Sequence, residues 1–394
     1  MSEENVKQLI GKVFNDIATG IETGGFSNKV KVGITLLGSE HGIENIVKGA
    51  ELASKRNNSY EVVLIGPKVE TELRVVEAND EDEQHKKMEE LLDSKEIDAA
   101  VTMHYNFPIG VSTVGRVVTP GVGKEMFIAT TTGTSSPHRV EAMVKNGLSG
   151  IITAKAMGIE NPSIGILNVD GARQVERALK ELNENGYDIN FSESMREDGG
   201  SVMRGNDLLT GTPDVMITDS LTGNLLMKIF SSFNTGGSYE ALGFGYGPGV
   251  GDGYKRNILI LSRASGIPVV ANAIEYGADL AKGNILNVNK AEHKKAKNAK
   301  YDEILKGLTK EKNKSEASEE EVKAPKKEIV TGSISGIDIM ELEDAVKELW
   351  KNGIYAESGM GCTGPIVMVN EEKLSKSIEV LAKSGYTTQE SDHC

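Results

Sequence analysis

Cysteine is nearly absent: Cys362 and Cys394 are the only two in 394 residues, which excludes a disulfide framework and a cysteine-rich metal centre. A Cys362–Cys394 redox pair would need a thiol at the chain end, where chains ordinarily fray, and the role of Cys394 stays open. Basic residues are outnumbered, 44 Lys and Arg against 58 Asp and Glu, for a net charge of −14. That field opposes binding to nucleic acid or to an anionic membrane, so no nucleic-acid partner is expected. No uninterrupted apolar run reaches membrane-spanning length, and residues 1–7 lack the basic start and apolar run of a signal peptide. A cytoplasmic protein without a membrane span is therefore expected. The six histidines show no metal-ligand spacing, so no metal is expected, and the glycine-rich run 243–251 lacks the G-x-x-x-x-G-K-S/T pattern, so no cofactor is expected either.

What is present fits a globular chain: 38% hydrophobic residues, 44 glycines for tight turns, and enough length for two or three domains at about 150 residues each. Leu9, Ile10, Val13, Phe14 and Ile17 recur at helical spacing, so residues 1–30 are expected to hold an amphipathic N-terminal helix. Residues 31–37 read as a buried strand, then come a turn with His41, a helix with Ile46, Val47 and Ala50, and a strand at 62–65. Strand, glycine turn, helix, strand is the signature of a parallel α/β sheet. It continues through strands at 99–103 and 125–129 to residue 155, giving a first lobe at 31–155. His104 and the run Thr130–Ser136 fall at the carboxyl ends of these strands, where such sheets place ligands. A second lobe at 156–289 repeats the alternation, with strands at 164–169, 214–218, 258–261 and 284–288; the glycine-dense stretch 243–253 reads as a flexible cover or close-contact loop.

Residues 290–327 are rich in lysine and glutamate and read as a charged, flexible linker, partly helical near 301–308. Beyond it, 328–394 has the pattern of a small α+β domain carrying Ser358-Gly359-Met360-Gly361-Cys362-Thr363-Gly364-Pro365. A thiol among glycines is uncrowded, and the amides at Gly361, Thr363 and Gly364 could face an oxyanion. In the body, a strand ending at Thr218 is followed by Asp219, Ser220, Thr222, Gly223, Asn224 and Lys228 at the start of a helix. Helix N-termini at such points bind phosphate, although the same hydroxyls could simply cap the helix.

The motifs at 32–42, at 164–168 ending in Asn168, and at 214–228 resemble the phosphate acyltransferases of bacterial phospholipid synthesis, which share their fold with phosphotransacetylases. The resemblance spans most of 31–288. It implies a parallel-sheet α/β body in two lobes, like isocitrate and isopropylmalate dehydrogenases, and acyl transfer between a thioester and inorganic phosphate without metal. Asn224 and Lys228 would orient phosphate, with Asp219, Ser220, Thr222, Gly223, Asn168, His41 and His104 around it. Two departures stand out. His104-Tyr105-Asn106-Phe107 replaces that family's Gly-Asn-Thr-Gly turn, and those enzymes lack the cysteine-bearing domain.

With that domain included, the whole chain resembles the component C family of the glycine/sarcosine/betaine reductase complexes. This resemblance implies a beta-subunit partner and a carboxymethylated selenoprotein component A. It also implies an acetyl thioester on Cys362 that phosphate cleaves to acetyl phosphate. A plain phosphate acyltransferase using an external thioester, or a non-catalytic scaffold subunit, are the alternatives.

Overall fold

The computed structural model describes residues 29–196, 199–315, 322–338, 341–361, 364–386 and 389–390; the expected helix within 1–30 lies outside them. The body opens with β1 (Val30–Thr35), α1 (Ile43–Arg56), β2 (Tyr60–Gly66), β3 (Arg74–Glu77), α2 (Glu81–Asp93) and β4 (Ala99–Thr102). Val32, Ile34, Val63, Leu64, Ala100 and Val101 are fully buried, as expected for parallel strands covered by helices on both faces. Next come β5 (Val111–Val118) and β6 (Glu125–Thr134), a long antiparallel hairpin, and α3 (Arg139–Ala156). β5 has no counterpart in the sequence reading, because Gly115 and Arg116 interrupt its apolar pattern.

The chain continues through β7 (Ser163–Leu167), α4 (Ala172–Glu184), β8 (Asn190–Phe191), β9 (Val202–Met203), α5 (Gly205–Thr210), β10 (Val215–Ile217) and α6 (Ser220–Ser232). It then returns through β11 (Gly247–Val250), β12 (Ile258–Ile260) and α7 (Ile267–Lys282). The sheet order is β3-β2-β1-β4-β12-β11-β5-β6-β10-β7-β8, with β9 also on β7. Strands β3 to β12 in that order are parallel, as are β6 to β8. Three antiparallel pairings separate the two sets, so they run in opposite directions.

This topology corrects the lobe boundaries. The chain enters the second half of the sheet at β5, well before residue 155, and stays there through β10; β12 carries it back into the first half, which is therefore built from two separate segments. It also corrects the reading of 243–253, whose centre is β11, an inner strand with every residue buried. Gly247 has φ +83°, and a Cβ there would lie 1.7 Å from the Val114 carbonyl oxygen, so the glycine serves close strand approach.

Two further expectations fail for one reason. The strand at 284–288 is the start of α8 (Ile285–Asn298), and α9 (Tyr301–Ser315) follows it. Ile285, Ala296, Ala299, Tyr301, Ile304 and Leu305 are buried in the main core, so the front of the expected linker is part of the body. Lysines on the outer faces hide that inner stripe from a reading by composition.

Past 315 the small domain comprises β13 (Gly332–Ser335), α10 (Leu342–Lys351), β14 (Ala356–Gly361), β15 (Gly364–Val369), α11 (Leu374–Lys383) and β16 (Gln389–Glu390). Its strands pair antiparallel in the order β14-β15-β13-β16, over a core of Ile334, Val346, Leu349, Val367, Val369 and Leu381. Residues 328–330, whose Glu-Ile-Val run suits a strand, are irregular, and β13 begins at Gly332. This domain touches the body at α4: the Gly171 N–H donates to Asp338 Oδ2 at 2.8 Å, and Glu341 accepts from Gln174 at 2.9 Å and pairs with Arg177. A carboxylate at a helix N-terminus is a favourable contact, so the domain is docked here as well as tethered.

Candidate functional site

The last turn of β6, the 103–109 connection between β4 and β5, the end of β12 and one face of α6 border a cleft of about 450 Å³. Asn224 and Lys228 lie one helical turn apart on α6 and both face it, as does His104. Spacing of four residues puts side chains on the same helix face, which is why the two motif residues meet here. Met103, Tyr105, Phe107, Tyr246 and Leu261 supply apolar wall, and Thr132, Thr134 and Ser262 supply hydroxyls. Asn224 Nδ2 donates to the Thr131 carbonyl at 3.1 Å, which joins α6 to β6. Lys228 Nζ lies 3.7 Å from Glu240 Oε1 and 5.8 Å from the centre of the Tyr246 ring.

A second hollow of about 350 Å³ adjoins the first through Gly133 and Thr134 and is lined by Ser135, Ser136, Arg139, Asp219, Ser220 and Thr222. Here the capping reading of the sequence motif prevails. Asp219 is the N-cap of α6: its Oδ1 accepts from the Leu221 and Thr222 amides at 3.1 and 3.0 Å, and its Oδ2 from Thr222 Oγ1 at 2.7 Å. Arg139 Nη2 adds a contact at 3.1 Å. Burial pushes the Asp219 carboxyl up, but the Thr222 and Arg139 contacts outweigh it and hold it below its ordinary range. Two amides that a phosphate would use are therefore occupied by the protein's own carboxylate.

Gly223 is also reassigned. A Cβ there would stand 1.7 Å from the Thr130 carbonyl oxygen, so the glycine lets α6 lie directly on β6. His41 and Asn168 lie outside both hollows. His41 Nε2 is 3.2 Å from the Ala264 carbonyl, with the ring edge-on to Tyr239, and exposed Asn168 follows β7. Cys362 and Thr363 lie outside the described residues, as does Cys394; Gly361 and Gly364 form the last pair of the β14–β15 ladder on either side of the first two.

Three participants escaped the sequence reading. Arg139 sits in the first turn of α3, the end where a helix dipole disfavours a cation, and that misplacement was a usable signal. Glu240, 3% exposed, gave none. His85, on α2, donates to or accepts from Thr102 Oγ1 at 3.1 Å behind the 103–107 segment, and burial, then His104, lowers its pKa.

Residues 30–368 match the family model described as fatty acid synthesis protein. The chain is 69% identical over 381 residues to the glycine/sarcosine/betaine reductase complex component C subunit alpha of Peptoclostridium acidaminophilum, covering 97% of this chain and 99% of that one. The chain belongs to this component C alpha family. The phosphate acyltransferase of Thermotoga petrophila is 28% identical over 236 residues, 51% of this chain and 68% of that one. Among solved structures, a branched-chain phosphotransacylase from Enterococcus faecalis superposes with a TM-score of 0.45 at 16% identity, covering 64% of this chain and 99% of that one. Similarity to the component C alpha relative runs through both the α/β body and the small domain, whereas the phosphate acyltransferase match covers half the chain.

Proposed function

We propose that the chain is the acyl-transfer subunit of a glycine, sarcosine or betaine reductase complex, and that it forms acetyl phosphate by phosphorolysis of an acetyl thioester carried on Cys362. The observation that carries this reading is the convergence of Asn224, Lys228 and His104 on one cleft, in a chain 69% identical to a component C alpha subunit. A beta subunit and a carboxymethylated selenoprotein component A are the proposed partners, delivering the two-carbon unit as a selenoether.

In the transfer step a phosphate oxygen attacks the thioester carbonyl, the carbon–sulfur bond breaks, and sulfur leaves as thiolate. The leaving group is good, so the protein's task is positioning and charge stabilisation. Lys228 would neutralise the phosphate dianion, Asn224 would hold the anion beside β6, and the hydroxyls of Thr132 and Thr134 would complete the cradle. Because the α6 amides at 221 and 222 are taken by Asp219, the lysine carries more of the binding than the helix N-terminus does.

The test is phosphate-dependent release of acetyl phosphate by the assembled complex. Cys362→Ala and Lys228→Ala should each abolish it. Activity in Cys362→Ala alone would indicate a phosphate acyltransferase using an external thioester, and activity in both would indicate a scaffold subunit.

A further inference from the structure

We propose that Glu240 is a positioning residue that fixes the Lys228 ammonium at the cleft wall, an inference that rests on the reading of the cleft as a phosphate site. Glu240 is 3% exposed. A carboxylate taken that far out of water needs a cation or several hydrogen bonds to remain charged. Its Oε2 accepts from Ser265 Oγ at 3.1 Å, and its Oε1 accepts from Tyr246 Oη at 3.3 Å and lies 3.7 Å from Lys228 Nζ. Its backbone is pinned on both sides, the Glu240 N–H donating to the Ala264 carbonyl at 2.9 Å and the Gly266 N–H to the Glu240 carbonyl at 2.8 Å. The mount extends to α1, where Asn45 Nδ2 donates to the Ser265 carbonyl at 2.9 Å.

The partner is informative. Lys228 keeps 55% of its side chain exposed and lines the cleft, so its ammonium meets Glu240 on one side and the open hollow on the other. An ammonium has three donors, and this arrangement leaves some free for a ligand. A long lysine side chain otherwise samples many rotamers; a rigidly held carboxylate behind it selects the one that faces the cleft. The same carboxylate sets a negative charge behind the anion site and weakens ground-state attraction. Position and attraction are therefore opposed, and removing the charge while keeping the shape separates them.

In Glu240→Gln, inorganic phosphate should bind the full-length chain about three- to tenfold more tightly by calorimetry, since a like charge near the anion is gone. Arsenate-dependent breakdown of acetyl phosphate should fall about tenfold in turnover, since the ammonium is no longer held in place. Ser265→Ala loosens Glu240 without removing its charge, and it keeps the inference testable if the glutamine variant does not fold. It should lower turnover about threefold and leave the phosphate Kd unchanged within about twofold. Parallel losses of affinity, turnover and thermal stability, or wild-type turnover in Ser265→Ala, would overturn the inference. Lys228→Ala separates the two readings. If it binds phosphate as wild type does, the phosphate reading of the cleft fails and takes this inference with it. If it binds weakly while Glu240→Gln behaves as wild type, only the positioning role fails.

Discussion

Gly223→Ala tests whether the most conspicuous glycine of the body serves packing or ligand binding. A Cβ at 223 would stand 1.7 Å from the Thr130 carbonyl oxygen, a backbone atom that cannot swing aside, and close to Thr218 Cγ2 at 3.1 Å. Restoring an ordinary contact requires α6 to move off β6 by more than about 1 Å, an overpacking that costs roughly 1–3 kcal/mol. In a body of this size each kcal/mol lowers Tm by about 2–4 °C, so a drop of roughly 2–12 °C is expected by calorimetry. The shift also breaks the 3.1 Å bond from Asn224 to the Thr131 carbonyl and carries Lys228 away from Glu240. A misplacement of that size can reduce turnover about a hundredfold. If the variant instead kept wild-type Tm while losing only phosphate affinity, the glycine would be a ligand contact and the packing argument would be wrong.

The docking of the small domain makes a related prediction. Asp338→Asn weakens the charge-assisted bond at the start of α4 by about 0.5–2 kcal/mol, and hydrogen exchange around Gly171 and Arg177 should rise; unchanged exchange would mean the contact does not hold the domain. Shortening the connection is expected to cut turnover while leaving Cys362 acylable, but only if the deletion stays within 316–327, because α8 and the front of α9 belong to the core. Unchanged turnover would remove the tether from the mechanism. Burial lowers the pKa of His85 and of His293, 7% exposed on α8. In the unfolded chain both take up protons near pH 6.5, so the stability they contribute is full above that value and is lost as pH falls toward their depressed folded values. Tm should therefore fall as pH drops below about 6.5, and His293→Gln should flatten part of that slope; equal slopes would contradict the assignment.

The order of α/β units was legible because buried parallel strands advertise themselves as runs such as Val-Val-Leu-Ile at 62–65, bounded by glycine. The crossing of the chain between the two halves of the sheet was not, since it depends on β5, whose apolar pattern Gly115 and Arg116 interrupt, and on β11, whose glycines read as loop. The helix near 301–308 was legible and lies within α9, but lysines on the solvent faces of α8 and α9 hid their buried stripe, and a composition reading took packed structure for linker. At the cleft, the spacing of four puts Asn224 and Lys228 on one face of α6, and His104, singled out by its strand-end position, lines the same hollow. Asp219 caps α6 and Gly223 packs it on β6, because the same Asp-Ser-Leu-Thr-Gly-Asn run that would suit an anion also suits a self-capped helix packed on a strand. His41 and Asn168 were drawn in by resemblance and strand-end position alone, and nothing in a linear sequence says which strand ends share a face. Glu240 went unnoticed because it lies outside the helix motif, and only the folded chain brings its carboxylate beside Lys228.

The most direct test of the central claim is to incubate the assembled complex with acetyl phosphate and search by mass spectrometry for an acetyl group on Cys362. The account predicts a single acetyl adduct there, absent in Lys228→Ala and lost from the wild type on addition of arsenate. A complex that exchanges phosphate with acetyl phosphate while Cys362 stays unmodified would contradict it.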